Sequence, residues 1–503
     1  PGLINEVGQE AVTKQIFTGL VRYKPDLTVE PALAEKWEAS PDAKTYTFTL
    51  KDTKWSDGTA VTAADFEYAI KRMLDPKFAS TYAHFLYDLK GAEAFNGALG
   101  TKNKPKQADD ATLAKLRDAV GVKALDARTL KFDLENPASY FLSLLAQGNV
   151  SPIKKDVVEK FGDKWTEPGN IISNGPFLLK SWAPGSKITL ERNPNYFDTR
   201  PTLDRIEITF ITDDATAYAA YRNGELDISS NIPDALVQQI RQDSSLSKDI
   251  LQDNTLRTTF LGFDVKAKPF DDKRVRQAFQ MALDTKTLND KVLNGIHTPA
   301  KSFIPLGMPG FQPEIGFDFN PAKARQLLAE AGYPDGKGLP KVTAMYATST
   351  ANKLRMEYIQ AQIKENLGID IELENVEGKS FGARLVSDPA PMFFLGFASD
   401  YPHPNNWLRV AWGEIGSGVN FSQWSNTGFD DLVRKAAAEP DQKRQLDMYA
   451  QAQKILVDDA PALWMYFQGR FRLVKPWVKG LKTTPQDPQV GAYFWKDLQI
   501  AAH

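Results

Sequence analysis

An aspartate ends an apolar run in the segment 396–407, which reads Gly-Phe-Ala-Ser-Asp-Tyr-Pro-His-Pro-Asn-Asn-Trp. The run before it is typical of a buried strand, and Asp400 follows where that strand emerges. An aspartate before proline-rich sequence commonly forms a turn by hydrogen-bonding its own backbone. The alternative is an anion placed to receive a cationic group of a ligand. The residues alone favour the turn and leave the ligand contact open.

Sequence patterns for catalysis or metal binding give little support to an enzyme. The chain has no cysteine, which excludes thiolate nucleophiles and cysteine-ligated metals. Its four histidines are dispersed without an HExxH pattern, so we predict no metal and no cofactor. The glycines at 332–338 lack phosphate-loop spacing, and those at 413–418 lack the spacing of a nucleophile elbow. No catalytic residue is predicted, although carboxylate pairs cannot be assessed from spacing alone.

The elements that must position Asp400 are a mixture of helices and strands. Residues 45–51 alternate apolar and polar side chains and predict a strand, and Thr62 followed by Asp65 predicts a capped helix. Residues 13–23 place apolar side chains on one helical face and predict a short helix. The same reasoning predicts strands at 129–134, 186–191, 206–211, 342–346 and 369–373, and helices at 321–332 and 353–367. This interspersion favours α/β layers.

The composition is that of a globular protein of several structural units, since 503 residues correspond to about three domains. With 42% hydrophobic and 25% charged residues, disordered and fibrous classes are excluded. The formal charge of −2 makes nucleic acid an unfavoured partner. The apolar stretch at 391–398 is far shorter than the roughly 20 residues of a membrane span. The first residues lack signal-peptide features, so we expect that any targeting peptide has been removed.

The run Ser-Asp-Tyr-Pro-His-Pro at 399–404 resembles a signature of bacterial extracellular solute-binding proteins for peptides. Further segments resemble hallmarks of that family in the same order along the chain: 45–50, 55–58, 62–66, 173–177, 192–196, 221–228 and 269–278. Because these segments extend over nearly the whole chain, it is identified as a member of solute-binding protein family 5, most similar to the oligopeptide-binding proteins.

The resemblance implies an α/β, two-lobed periplasmic-binding-protein fold of class II, cluster C, with an extra domain and a two-segment hinge. It divides the chain into lobe I (1–44, 170–260 and 480–503), extra domain II (45–169) and lobe III (261–479). It also implies that Asp400 pairs with the α-ammonium group of a bound peptide. Backbone groups of an extended peptide can pair with a strand edge whatever the peptide's side chains are, which allows broad specificity.

The remaining ligand contacts are also expected from the resemblance or from proximity. Gly396, Phe397 and Ala398 match the strand whose backbone pairs with the ligand. Glu6 and Gly8 resemble an opposing edge segment. Trp407, Tyr82 and Trp424 are candidate pocket walls, with Trp407 ranked first because it is close to Asp400 in sequence. Core packing is the alternative for each of these three aromatic side chains.

The expected function is therefore a non-enzymatic receptor that captures oligopeptides in a closed cleft between lobes and delivers them to the permease subunits of an ABC importer. We expect a monomer in the periplasm, and a membrane-anchored lipoprotein form stays open. One alternative is the same fold with another cargo, such as a dipeptide, a nickel chelate, haem or a sugar. A second alternative is a cleft enzyme such as a peptidase.

Overall fold

A computed structural model of the protein describes residues 1–4, 7–101, 104–230, 232–413 and 420–503. The chain divides into two compact units. Unit 1 consists of Pro1–Asn231, Ala438–Pro440 and Val474–His503, and unit 2 consists of Ile232–Ala437 and Asp441–Leu473. The three-part division expected from the resemblance, with lobe I, domain II and lobe III, stays a prediction.

Helices and strands are interspersed along the described part of the chain. The helices are α1 (Val7–Ile16), α2 (Ala63–Leu74), α3 (Ala92–Asn96), α4 (Asp110–Asp118), α5 (Phe141–Leu145), α6 (Lys155–Phe161), α7 (Asp214–Arg222), α8 (Val237–Gln242), α9 (Lys273–Met281), α10 (Thr285–Lys291), α11 (Pro321–Glu330), α12 (Thr350–Leu367), α13 (Gly378–Ser387), α14 (Thr427–Ala438) and α15 (Gln442–Asp459).

The strands are β1 (Val21–Tyr23), β2 (Val29–Pro31), β3 (Ala34–Ala39), β4 (Thr45–Leu50), β5 (Gly100–Thr101), β6 (Lys104–Pro105), β7 (Val122–Ala124), β8 (Thr129–Asp133), β9 (Phe177–Ala183), β10 (Lys187–Arg192), β11 (Arg205–Thr209), β12 (Ile228–Ser229), β13 (Ile250–Phe263), β14 (Thr298–Pro299), β15 (Val342–Ala347), β16 (Ile371–Val376), β17 (Met392–Ala398), β18 (Ala462–Val474), β19 (Val478–Lys479) and β20 (Gln499–Ile500). Every strand and helix predicted from sequence overlaps one of these elements, which confirms their type except at residues 17–23.

Unit 1 contains a four-stranded antiparallel sheet in the order β3, β4, β8, β7. On β4 the side chains of Tyr46, Phe48 and Leu50 are buried, as the alternating pattern predicts. The N-terminus of α2 is capped as predicted, because the backbone N–H and the hydroxyl of Thr62 donate to Asp65 Oδ2 at 2.7 and 3.0 Å. A second sheet of unit 1 has the strand order β11, β10, β9.

The helix predicted at residues 13–23 is wrong in its second half. Helix α1 ends at Ile16, and residues 21–23 form strand β1, which pairs with β2. The side chain of Asn174 explains the difference. Its Oδ1 accepts the backbone N–H of Thr18 at 3.0 Å, and its Nδ2 donates to the Thr18 carbonyl at 3.1 Å. Because both backbone groups of Thr18 are taken, the helix cannot continue through this residue.

Unit 2 is built on a mixed sheet in which the strand order is β18, β13, β17, β15, β16. Strand β13 is antiparallel to both of its neighbours, whereas β15 is parallel to β16 and β17. One face of the sheet carries a large apolar core to which α9, α11 and α12 contribute. The other face carries an aromatic cluster of Phe260, Phe303, Trp407, Trp412 and Trp464. Two packed faces hold the strands rigidly in register.

Candidate functional site

Strand β17 leaves part of one edge without a strand partner. Along its whole length it pairs with β13, from Met392 opposite Phe263 to Ala398 opposite Arg257. Its other neighbour, β15, pairs only with Met392 and Phe393. Within the described residues, no strand pairs with this edge of β17 from residue 394 to 398. We call this stretch the open edge.

The hydrogen-bond pattern shows which residues present backbone groups to the open edge. Ser399 donates its backbone N–H to Leu256 on the β13 side at 2.8 Å. In an antiparallel pair, consecutive residues direct their N–H and C=O groups to opposite edges. Phe397 therefore faces β13, whereas Gly396 and Ala398 direct their backbone groups to the open edge. These two residues offer donors and acceptors that an extended chain can pair with.

Asp400 lies two residues beyond the open edge and is fixed by Asn406. The backbone N–H of Asp400 donates to Asn406 Oδ1 at 3.0 Å, and Asn406 Nδ2 donates to Asp400 Oδ2 at 2.8 Å. Asn406 is fully buried, whereas Asp400 is half-buried. The turn expected for Asp400 and a ligand contact are compatible, since Asn406 supports the turn and holds one carboxylate oxygen in a defined place.

The segment after Asp400 is anchored to the aromatic face of the sheet. Trp407 is fully buried, with its ring centroid 4.9 Å from that of Phe303 and 5.0 Å from that of Phe397. Asn405 Nδ2 donates to the hydroxyl of Tyr401 at 2.8 Å. Aromatic packing and this hydrogen bond fix the turn that carries Asp400. The same burial favours core packing for Trp407 over the pocket wall that the sequence placed first.

Arg257 lies across Gly396 on one face of the sheet. It stands opposite Ala398 in the β13–β17 register, so these three residues share a face. A Cβ atom added to Gly396 would lie 3.1 Å from Arg257 Nε and 3.2 Å from its Nη2. Glycine therefore allows the guanidinium to approach the backbone beside the open edge. Although Arg257 is accessible to solvent, desolvation by the surrounding protein lowers its pKa, and the charge of Arg355 lowers it further.

Arg355 comes from helix α12 and approaches the same face. Its Cζ lies 5.9 Å from the ring centroid of Tyr466 on β18. Its Nη1 donates to Asn352 Oδ1 at 3.2 Å, whereas its Nε is buried and has no hydrogen-bond partner in the part of the chain that is described. Tyr466 stands opposite Thr259, which continues the face of Arg257 along β13. Helix and sheet thus bring two guanidinium groups towards one surface.

His297 completes this cluster as a neutral ring. It stacks on Tyr466 with ring centroids 4.5 Å apart and planes inclined by 10°. Burial lowers the pKa of His297 to about 4, and the charge of Arg355 lowers it as well. The backbone N–H of Gly469 donates to His297 Nδ1 at 3.0 Å. A neutral imidazole that accepts through Nδ1 carries its proton on Nε2 and so offers one further N–H donor.

The other residues predicted for the site lie elsewhere. Gly8 is exposed on α1 of unit 1, and Glu6 lies outside the described residues. Tyr82 also belongs to unit 1 and packs edge-on against Phe85 at a centroid distance of 4.8 Å. Trp424 is buried in unit 2, where its Nε1 donates to Asp459 Oδ2 at 3.2 Å. The structure therefore brings together Gly396, Phe397, Ala398 and Asp400, and the ligand contacts of all these residues stay predictions.

Sequence reasoning missed Asn406, Arg257 and Arg355. Asn406 lies inside the segment 396–407. Its position six residues after a turn-forming aspartate is the sequence feature that could have indicated its role. No sequence feature indicates Arg257 and Arg355. Arg257 lies on β13 and Arg355 on α12, and their positions depend on the sheet register and on the placement of the helix.

In the described ranges, no group of three or more His, Cys, Asp or Glu side chains is arranged to hold a metal ion. No helix formed by the described residues has both the length and the apolar character needed to cross a membrane.

Comparison with known proteins gives matches along the entire chain. The sequence profile of the bacterial extracellular solute-binding proteins, family 5 (middle region), matches residues 28–418. The periplasmic oligopeptide-binding protein OppA of Salmonella typhimurium is 35% identical over 513 residues, covering 100% of this chain and 90% of OppA. The dipeptide-binding protein DppE of Bacillus subtilis is 34% identical over 488 residues, covering 93% of this chain and 84% of DppE.

Solved structures agree with these sequence matches. The unliganded open form of the periplasmic murein tripeptide-binding protein MppA has a TM-score of 0.82 and 30% identity, covering 98% of this chain and 93% of MppA. This similarity confirms the expected fold class, the α/β fold of two-lobed periplasmic binding proteins.

Proposed function

Since this chain belongs to the bacterial extracellular solute-binding proteins of family 5, we propose that it captures peptides outside the cytoplasm and delivers them to an ABC importer. The family consists of binding proteins, so the prediction that this chain is not an enzyme is confirmed. Peptide cargo is supported by the names of its relatives, which are oligopeptide-, dipeptide- and murein tripeptide-binding proteins.

The observation that carries the peptide assignment is the open edge of β17 with Asp400 at its end. The backbone groups of Gly396 and Ala398 can form the hydrogen bonds of a sheet with an extended ligand. Such bonds involve only the main chain of the ligand, so they are available to any peptide sequence. A sugar, haem or metal chelate lacks the regular alternation of N–H and C=O groups that this edge matches.

Asp400 provides the charged end of the proposed site. A peptide that lies along the open edge brings its α-ammonium group towards the end of β17, where the carboxylate of Asp400 stands. A cation that leaves water needs both an opposite charge and good hydrogen-bond geometry. Because Asn406 already holds Asp400 Oδ2 at 2.8 Å, the carboxylate is oriented before a ligand arrives. A positioned carboxylate loses less conformational entropy on binding than a mobile one.

The remaining contacts and partners are part of the same proposal. Glu6 and Gly8 would supply a further backbone segment for the ligand, and Tyr82 and Trp424 would line side-chain pockets. The permease subunits of an ABC importer would accept the loaded protein. We place the chain in the periplasm as a monomer, with a lipid-anchored form as the alternative arrangement.

The proposed function is tested by identifying the cargo and then measuring its affinity. Ligands released by denaturing the purified protein are identified by mass spectrometry, and we expect peptides. A saccharide, a tetrapyrrole or a metal chelate without peptides would overturn the cargo assignment. Incubation with excess peptide should return it intact, because cleavage products would favour the peptidase alternative.

Calorimetry with the ligand-free protein then tests the role of the open edge. Tri- to pentaalanine with a free amino group should bind, and the N-acetylated peptides should bind about a hundredfold more weakly because they lack the cation. Peptides methylated on the backbone nitrogens provide a matched control for the edge, since they keep the charge and lose the donors. Equal affinity for the methylated and unmethylated peptides would contradict pairing with β17.

A further inference from the structure

Asparagine followed by glycine occurs four times in the chain, at 96–97, 174–175, 223–224 and 294–295. This dipeptide can react spontaneously, because the backbone nitrogen of the glycine can attack the side-chain amide of the asparagine before it. Glycine has no Cβ atom to block the approach, and its backbone adopts conformations that other residues avoid. In a folded protein the surroundings of each asparagine control the reaction, so the four sites can be compared with one another.

The fold restrains the side chains of three of these asparagines. Asn174 is 2% exposed, and both of its side-chain polar atoms bind main-chain groups. Asn96 Nδ2 donates to the Leu74 carbonyl at 3.0 Å, and its Oδ1 accepts a hydrogen bond from the Tyr87 hydroxyl at 2.7 Å. Asn294 is half-buried, and its Nδ2 donates to a main-chain carbonyl at 3.0 Å. A restrained amide cannot turn freely towards the following nitrogen.

Asn223 differs from the other three because it lies in the open at a helix end. It follows the last residue of α7 in unit 1, and both Asn223 and Gly224 are exposed. Within the described residues, its side chain forms one hydrogen bond, from Nδ2 to Glu225 Oε1 at 3.4 Å. That distance is long for a hydrogen bond, and the acceptor is itself exposed. No atom would lie within 4 Å of a Cβ added to Gly224, so the space around this glycine is also open.

The backbone at the end of α7 keeps the two reactive groups apart until it opens. Asn223 has helical dihedral angles, with φ −74° and ψ −6°. The Gly224 N–H donates to the Tyr221 carbonyl at 3.1 Å, and the Glu225 N–H donates to the Ala220 carbonyl at 2.9 Å. Hydrogen bonds at a helix end open at a low cost in free energy. When they open, the Gly224 nitrogen is freed and rotation about ψ of Asn223 can bring it to the side-chain amide.

We propose that Asn223 is a site of spontaneous deamidation, so that the protein acquires a more acidic form as it ages. The Gly224 nitrogen bonds to Cγ of Asn223 and loses its proton to water, while the Cγ–Nδ2 bond breaks and Nδ2 leaves as ammonia. Water then opens the five-membered succinimide at either carbonyl, which gives aspartate or isoaspartate. Both products add one negative charge at the C-terminus of α7, where the helix dipole disfavours it. This proposal is independent of peptide binding.

The four sites provide their own internal comparison when the purified protein is incubated near neutral pH. Peptide mapping by mass spectrometry measures the replacement of each amide by a carboxylate, and enzymatic methylation detects isoaspartate. In the folded protein, we expect Asn223 to react at least about tenfold faster than Asn96, Asn174 or Asn294. In concentrated urea the fold no longer restrains the side chains, so the four rates should agree to within about threefold.

Gly224→Ala tests attack by the glycine nitrogen. Gly224 has φ +81°, so alanine strains the helix end and favours its opening, whereas the new methyl group hinders the attack on Asn223. We expect the reaction to slow at least about tenfold, because hindrance of ring formation outweighs easier opening. Gly332→Ala is the matched control. Gly332 has φ +97° and equally open surroundings after the end of α11, but it follows alanine, so this variant should leave the rate at Asn223 unchanged.

Each part of the experiment can overturn the proposal. If Asn223 in the folded protein reacts no faster than the other three asparagines, the site is wrong. If Asn223 keeps the same lead in urea, local sequence explains the reaction and the structural argument fails. If Gly224→Ala reacts as fast as wild type, or if Gly332→Ala slows the reaction equally, attack by the Gly224 nitrogen is contradicted. None of these outcomes affects the proposed peptide binding.

Discussion

Charged side chains occur at two places along β13, and the fold treats them differently. Near the start of the strand, Asp253 pairs with Arg472 at 3.2 Å, and the Arg472 side chain is only 3% exposed. Further along the same strand, Arg257 has no carboxylate partner among the described residues and lies near a second cation, Arg355. The buried charge of Arg472 is thus neutralised inside the protein, whereas no described carboxylate neutralises the exposed charge of Arg257.

Arg276 extends the comparison within unit 2. It is buried, and its guanidinium donates to the carbonyls of Phe270 at 2.7 Å, Asp459 at 2.7 Å and Ala460 at 3.2 Å. Arg276 therefore satisfies its donors with backbone acceptors from separate segments of the chain. The Nε of Arg355, by contrast, is buried and has no hydrogen-bond partner among the described residues.

The largest effect is expected at Asp400. Asp400→Asn keeps the hydrogen bond from Asn406 available and removes the negative charge, so affinity for peptides with a free amino group should fall about a hundredfold or more. Isothermal titration calorimetry measures this affinity. Asp447→Asn is the control, because Asp447 is an exposed carboxylate paired with Lys443 at 2.8 Å. If Asp400→Asn binds these peptides with wild-type affinity, the charge of Asp400 does not contribute to peptide binding.

Arg276→Met tests the structural side of the comparison. It leaves two buried carbonyls and one half-buried carbonyl without their donor, so the free energy of unfolding should fall by about 3 kcal/mol. Arg257→Met should leave the free energy of unfolding within about 0.5 kcal/mol of wild type, because this exposed side chain has no carboxylate partner among the described residues. Urea unfolding of both variants measures this difference. A larger loss of stability in Arg257→Met than in Arg276→Met would contradict the division between the two arginines.

Acid should destabilise the fold through His297. Its pKa in the folded protein is about 4, compared with an ordinary value of 6.5, because of burial and the nearby Arg355. Between these pH values the unfolded chain binds a proton that the folded chain does not bind. The stability contributed by neutral His297 is therefore complete above pH 6.5 and is lost as the pH falls towards 4, by roughly 1–3 kcal/mol.

Thermal unfolding of wild type and His297→Gln between pH 4 and 7 measures this effect. The variant should lose less stability on acidification than wild type. His403, whose pKa burial also lowers to about 4, titrates in both proteins, so the variant should keep part of the wild-type loss of stability. An identical pH dependence in the two proteins would show that His297 does not titrate in this range.

Asn406→Ala tests whether the orientation of the Asp400 carboxylate contributes to binding in addition to its charge. The variant loses the acceptor for the Asp400 N–H and the donor to Asp400 Oδ2, so affinity for free-amine peptides should fall about tenfold. Affinity for N-acetylated peptides should stay the same, since they do not use the charge of Asp400. Equal losses for both kinds of peptide in calorimetry would instead indicate a general structural role of Asn406.

The smallest effect is expected at Gly396. In Gly396→Ala the new Cβ lies 3.1 Å from Arg257 Nε and must displace this flexible side chain. Because the displaced group is the end of a flexible side chain, the affinity for peptides should fall by about threefold or less. Gly382→Ala on α13 is the control, because no atom lies within 4 Å of a Cβ added there. A much larger fall in affinity, measured by calorimetry, would mean that the backbone of β17 has moved.

Much of the fold could be predicted because the signals are local. The alternation at 45–50 and the Asn-Pro start of α11 each lie in one short stretch, and the structure confirms both elements. The helix predicted at residues 13–23 fails because Asn174, distant in sequence, binds the backbone of Thr18. Local periodicity cannot register such a long-range hydrogen bond.

The candidate site follows the same rule. Asp400 was found because it ends an apolar run within one segment, and Gly396 and Ala398 belong to that run. Arg257 could not be found, since its place depends on the pairing of β13 with β17. The burial of Trp407 could not be predicted either, because proximity to Asp400 in sequence says nothing about which side of the sheet its ring occupies.

The two backbone positions on the open edge make half of the site resistant to mutation. Gly396 and Ala398 offer N–H and C=O groups that every amino acid except proline retains. A single base change can therefore alter a side chain beside the open edge without erasing the capacity of the edge to pair with a main chain. Diversification of cargo within a lineage would then proceed through these neighbouring side chains, with proline as the one substitution excluded from the strand.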